Sequence, residues 1–66
     1  MRPALGTLAE WDRDTFANVV RLPDGQNLRN CPVVDSVTAL VLRVGDRVMV
    51  GWIEGSPFIA GRVVAP

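Results

Sequence analysis

The sequence predicts an all-β domain, a small five-stranded barrel of the OB-like or SH3-like kind, and three observations lead there. Eleven valines, with Thr, Ile, Phe and Trp, are set between Gly, Pro, Asp and Asn, which is a composition of strands and turns. Turn signals recur at fairly even spacing, so the strands between them are short. Gly51 and Gly61 fall inside predicted strands, where a missing side chain marks a bulge, a sharp bend or a close backbone approach. A flat five-stranded sheet would leave one apolar face uncovered, whereas a coiled barrel wraps around it.

Residues 6–12 (GTLAEWD) read as the first strand, Arg13-Asp14 as a tight polar turn, and 15–22 (TFANVVRL) as the hairpin partner. Pro23-Asp24-Gly25 is a turn with a mechanism: Pro presets φ near −65°, Asp bonds nearby backbone N–H groups, and Gly takes positive φ. Residues 26–34 (QNLRNCPVV) return as the third strand, at an edge or broken by a bulge at Pro32, which cannot donate to a ladder. In 35–44 (DSVTALVLRV), Asp35 or Ser36 suits a helix cap, while β-branched Val37, Thr38 and Val41 favour extension. A short turn of helix or an irregular crossing is expected there.

Gly45-Asp46 punctuates the chain before a fourth strand over 47–54 (RVMVGWIE), with Val48, Val50 and Trp52 on one face. Gly55-Ser56-Pro57 is read as the next turn and 58–64 (FIAGRVV) as the fifth strand, with Ile59, Gly61 and Val63 on one face and Ala60 and Arg62 on the other. The expected core is Leu8, Phe16, Val20, Leu28, Val34, Leu40, Val48, Val50, Ile59, Gly61 and Val63. Residues 1–66 are taken as a single domain with tails or arms at 1–5 and 65–66. If Gly61 permits a bend or close packing, its replacement by Val costs about 1 to 3 kcal/mol.

Composition narrows the function. Seven Arg balance seven acidic residues, and the Arg are scattered without a cluster, so no field gathers phosphates and nucleic acid is disfavoured as a partner. No apolar run approaches the roughly 20 residues that span a bilayer, and no apolar segment follows Met1-Arg2 as in a signal peptide, so synthesis and assembly in a cytoplasm are expected. The chain has no His and no Lys, the commonest general bases besides carboxylates. Cys31, the only cysteine, has no basic neighbour in sequence to activate it and reads as a small packed hydrophobe.

Glu10, Asp12 and Asp14 are spaced two apart, which in a strand would put two carboxylates on one face; Asp beside a hairpin turn, bonding local backbone, is the better account. The chain is therefore read as a non-enzyme, with no catalytic, cofactor-binding or metal residue assigned and no cofactor expected. Chains of roughly 60 residues bury only about 60% of the surface that the unfolded chain exposes. With no disulfide and no zinc ligand set to reinforce so small a core, oligomerisation or docking is expected to help. Trp11, Phe16, Trp52 and Phe58 are the only candidate stacking platforms for an OB-type module that binds single-stranded nucleic acid or sugar. Aromatic residues and Arg are also enriched at protein interfaces, and the interface candidates are Trp11, Phe58, Arg47, Arg62, Arg2 and Leu5.

One stretch carries a resemblance. Residues 44–63, VGDRVMVGWIEGSPFIAGRV, are similar to the ending of small OB-like barrels in virion proteins of tailed bacteriophages. The pattern there is VGD-x-V-x-V, a short turn, an aromatic, two small or apolar residues and G-R-[VI]. The opening GTLAEWD at 6–12 resembles the first strand of such barrels, so the similarity touches about half of the chain, and 26–42 carries none of it. The resemblance implies a structural or assembly role in a capsid, connector or tail, with other virion proteins and further copies of the chain as partners, the virion as its location, and no catalytic residue. A chain of this size points first to a capsid-decorating (cement) protein and next to a tail or connector component.

Overall fold

Alternating apolar and polar residues build five strands in this chain. In order they are β1 (Ala4–Trp11), β2 (Asn18–Arg21) and β3 (Asn27–Arg29), then a short helix α1 (Ser36–Val41), then β4 (Arg47–Ile53) and β5 (Ser56–Val63). The computed structural model describes residues 4–64. The strands form one antiparallel sheet in the order β3-β2-β1-β4-β5. β1 begins earlier than expected, because Ala4 and Leu5 pair with Val50 and Met49 of β4, so Leu5 is a strand residue and not part of an arm. Arg2 and the expected tail at 65–66 lie outside the described residues.

The turn between β1 and β2 is longer than Arg13-Asp14. Asp12 Oδ1 accepts from the backbone N–H of Asp14 (2.9 Å) and Thr15 (3.3 Å), and Phe16 N–H donates to the Asp12 carbonyl (2.7 Å). These bonds close a six-residue loop over 12–17 and force Phe16 to φ 61°, a conformation that costs a bulky residue. Phe16 is consequently not in the core; it is 47% exposed and stacks on Trp11 with ring centroids 5.7 Å apart. The Pro23-Asp24-Gly25 turn follows its predicted chemistry: Gln26 N–H donates to Asp24 Oδ1 (2.9 Å) and Gly25 has φ 88°.

β3 stops after three residues, well short of the expected 26–34, because the chain turns away at Asn30 (φ 53°). The cause is Asn18, the one buried polar residue among those described. Its Oδ1 accepts from Cys31 N–H (3.0 Å), and its Nδ2 donates to the carbonyls of Cys31 and Phe16 (2.9 Å each). Cys31 is thereby drawn inward, and Pro32–Val34 cross to the far edge of the sheet. There Ile59 N–H donates to the Pro32 carbonyl (2.7 Å) and Val34 N–H to the Ile59 carbonyl (2.9 Å), a parallel bridge between Val33 and Ile59. Pro32 therefore interrupts no strand, because β3 has already ended at Arg29; it opens that crossing instead.

The last hairpin turns at Glu54-Gly55, with φ 52° and 81°, and Ile53 faces Ser56 across it. This is the two-residue turn that suits strand twist, and it places Pro57 inside β5, not in the turn as expected. Pro57 stands opposite Trp52, one step from the turn-closing pair, so its missing N–H falls on the side away from β4.

Leu8, Val20, Val48, Val50 and Ile59 are fully buried as predicted, and Leu28 packs against them. Leu22, Cys31 and Leu42 complete the core cluster. Val34, Leu40, Gly61 and Val63 do not belong to it, and each departure has a local reason. The crossing at 32–34 turns Val33 towards the core and Val34 outward. The helix buries Ala39, and Leu42 beside it, in place of Leu40. In β5, Val50 faces Ile59 but Met49 faces Gly61, so Ala60 is an extra residue that bulges and reverses the alternation after it. Gly61 and Val63 then fall on the outer face.

Gly61 is thus a bulge glycine with no close neighbour: a Cβ built there meets nothing within 4 Å. The close approach is at Gly6, where a Cβ would sit 2.5 Å from Val20 Cγ1 and 3.3 Å from the Arg21 carbonyl oxygen. Because Val20 is a fully buried branched side chain, it has little room to yield. Gly6→Ala is expected to lower stability by about 1 to 3 kcal/mol through overpacking, and Gly61→Val to leave the urea midpoint nearly unchanged. Equal losses at the two positions would contradict this assignment of the faces. Asn18→Ala, which strands the Cys31 N–H and carbonyl, is expected to cost about 2 to 4 kcal/mol in the same measurement. A loss below about 0.5 kcal/mol, the usual range of surface substitutions, would mean that the clamp is dispensable.

Candidate protein-contact surfaces

Residues directly opposite one another on paired strands share a face of the sheet. Leu5, Met49 and Gly61 form one such row across β1, β4 and β5, and Thr7, Arg47 and Val63 form the next. Gly51 with Phe58 and Ile53 with Ser56 continue the same face towards the turn. It is the face opposite the core, and it carries apolar side chains where solvent would favour polar ones. Met49 is 46% exposed and Ile53 62%, with Val63 also exposed and Phe58 and Leu5 half-buried. Gly51 is buried opposite Phe58, and Gly61 leaves an open notch beside Met49. Three of the predicted interface residues, Leu5, Arg47 and Phe58, are brought together here. Met49, Ile53 and Val63 were missed, although their alternation with Val48, Val50 and Trp52 was a signal for the first two.

Trp11 and Arg62 stand elsewhere. Trp11 stacks on Phe16 and packs against the core, and its indole Nε1 is buried without a hydrogen-bond partner among the described residues. An open groove of about 540 Å³ runs past it, lined by Glu10, Val19, Arg29, Asn30 and Val44 among others. Trp52 packs half-buried against the core, so it belongs to the inner face. Arg62 is used within the chain: its guanidinium lies 3.9 Å from Asp46 Oδ2. The same carboxylate oxygen accepts from Arg43 N–H (2.9 Å), while Gly45, at φ 95°, donates to the Leu8 carbonyl (2.8 Å). Gly45-Asp46 therefore ties the start of β4 to β1 and to the end of β5.

The carboxylates assigned to turns act as such. Asp12 is fully solvated, and the N–H groups of Asp14 and Thr15 hold its carboxyl below the usual range. Burial pushes the Cys31 thiol up, which keeps it protonated, as expected of a packed side chain. Among the described residues no three His, Cys, Asp or Glu side chains gather where a metal ion could sit, and no helix is long and apolar enough to cross a membrane.

A second apolar surface lies on α1. Asp35 caps it by accepting from Thr38 N–H (2.7 Å), so the ambiguous 35–44 segment holds a short helix over Ser36–Val41 and leaves it in extended conformation at Leu42. Val37, Leu40 and Val41 all face solvent, and Val34 and Val44 are exposed just outside its two ends. Among the described residues ten large apolar side chains are exposed, as many as the apolar residues that are buried; surfaces of this kind mark sites of contact. Comparisons with family models, with curated proteins and with solved structures find no match to this chain.

Proposed function

We propose that this chain is a structural or assembly protein of a tailed-phage virion that works through contacts with other virion proteins, first as a capsid-decorating cement protein and next as a tail or connector component. The observation that carries the protein-contact reading is the apolar outer face of β1, β4 and β5, with Met49 at its centre, Ile53 towards the turn and Arg47 at its edge. The virion part rests on the resemblance of 44–63 and 6–12 to phage barrels. Within that pattern, Arg62 near its end lies 3.9 Å from the carboxylate of Asp46 near its start.

The same reading takes the sheet as a barrel of the OB type. A sheet of order β3-β2-β1-β4-β5 closes only where the third and fifth segments meet. The single parallel bridge from Val33, in the stretch that follows β3, to Ile59 of β5 supports that reading, as does the helix between the third and fourth strands. OB barrels are five-stranded and partly open. On a repeating shell, modest apolar contacts are multiplied by effective concentration, which is how a small neutral domain can hold firmly.

A second reading, an OB-type module for single-stranded nucleic acid or sugar, is favoured by one observation: the groove beside Trp11 and Arg29 adjoins the β1–β2 loop and the β2–β3 surface, where OB barrels bind such ligands. Salt-dependent quenching of Trp fluorescence by oligonucleotides would mark that reading.

The test is cosedimentation with purified capsids, connectors and tails of the phage or prophage whose genome carries the chain. The wild-type chain is expected to pellet with one of these particles. Met49→Asp is expected to weaken that binding at least about tenfold, the effect of losing roughly 1.4 kcal/mol, with an unchanged urea midpoint. Failure to associate with any of the three particles would overturn the proposal.

A further inference from the structure

The bulge at Ala9 turns Glu10 away from the core. In an unbroken strand Glu10 would lie on the same side of β1 as Leu8, two positions before it. The extra residue reverses that alternation. Leu8 stands opposite Val20, and Val20 opposite Leu28, in a core row; Glu10 stands opposite Val19, and Val19 opposite Arg29, in a row on the other side of the sheet. Bulges are found beside functional sites, where they re-aim a side chain in this way. The row of Glu10, Val19 and Arg29 crosses the open groove of about 540 Å³, a volume within the range of small-ligand sites. Val19 is buried between two exposed side chains of opposite charge. Those two stand on strands separated by a third, roughly 10 Å apart by strand spacing, and neither takes part in an ion pair among the described residues.

We propose that this groove binds a neutral saccharide, held by Glu10 and Arg29 from its two sides with the C–H face of the sugar ring against Val19. The inference rests on the reading of the chain as an OB-type module and decides between the two ligand classes of that reading. A sugar hydroxyl both donates and accepts, whereas a carboxylate only accepts and a guanidinium only donates, so one ring satisfies both ends of the row. Side chains stand roughly perpendicular to a sheet, and a ring with a hydrogen bond of about 2.8 Å on each side fills the gap between them. Asn30 adds a further donor at the same groove: its side-chain oxygen accepts from Asn18 N–H (3.3 Å), which leaves its amide NH2 for a ligand.

Charge separates the saccharide from nucleic acid. Glu10 and Asp12 both line the groove against the single cation Arg29, so a chain of phosphates would meet more negative charge than positive. The protein as a whole is neutral and supplies no field to offset this. A ligand that is polar, uncharged and apolar on one face suits the groove as it stands. The site lies away from the outer face of β1, β4 and β5, so it does not depend on the virion assignment.

Backbone amide NMR shifts of the full chain test it. The probes are short neutral hexose and N-acetylhexosamine oligosaccharides, titrated to about 10 mM so that a Kd near 1 mM is reached, and, separately, oligothymidylate. At least one neutral oligosaccharide is expected to move the signals of Glu10, Val19 and Arg29, with a Kd that is the same at low and high salt. Glu10→Ala and Arg29→Ala, both at exposed positions, are each expected to weaken that binding at least about tenfold, the effect of losing a hydrogen bond to a charged group, with an unchanged urea midpoint. Arg21→Ala removes the same charge from β2 outside the groove and is expected to leave binding unaltered. A saccharide bound equally well by Glu10→Ala and Arg29→Ala would overturn the site. Shifts produced by oligothymidylate alone and lost in salt would overturn the saccharide and leave the OB-type reading standing, and no shift with either probe would overturn both.

Discussion

The architecture hangs on the Asn18 amide. At the first position of β2 its side chain satisfies both backbone groups of Cys31, a residue that would otherwise bury an unpaired N–H and an unpaired carbonyl. That pairing ends β3 after three residues and sends Pro32–Val34 to the edge of β5. It also carries Cys31 into the core beside Leu8 and Leu42. The helix follows, with Ala39 inward and Val37, Leu40 and Val41 outward. One buried amide thus governs the link between the sheet edges.

Two extra residues give the sheet its sidedness. Ala9 bulges in β1, where Leu8 faces Val20 but Glu10 faces Val19, and Ala60 bulges in β5. Bulges increase local twist and bend a strand, so the core face curls around Leu8, Val20, Val48, Val50 and Ile59. The opposite face of β1, β4 and β5 is left open with Leu5, Met49, Phe58 and Val63 upon it. A core so limited in size gains from neighbours that cover such a face, which links the stability of the domain to the contacts proposed as its function.

Much of this was readable from residue order, where local chemistry decides. Pro23-Asp24-Gly25 turns for the reasons its residues provide, and strict alternation through Val48, Val50 and Trp52 places all three inward. Leu5, Arg47 and Phe58 share a face because the strands around them pair in plain register. What could not be read were the places where a loop, a bulge or a distant partner overrides alternation. Phe16 looked like a strand residue, but the Asp12 side chain recruits the following N–H groups into a loop. Gly61 and Val63 changed face because of one extra alanine. The ion pair of Arg62 likewise needs Asp46, sixteen positions earlier in the chain, to be visible. The role of Asn18 needs Cys31, thirteen positions away, to be visible at all.

The central claim is that the open side of the sheet is where another protein sits. Hydroxyl-radical footprinting of the chain, alone and with the particle it is proposed to bind, tests it most directly, because Met49 is both exposed and easily oxidised. The account predicts that Met49 and Phe58 lose reactivity on binding while Trp52, packed on the inner side, does not change. Unaltered reactivity of Met49 in a chain that demonstrably rides on the particle would contradict it.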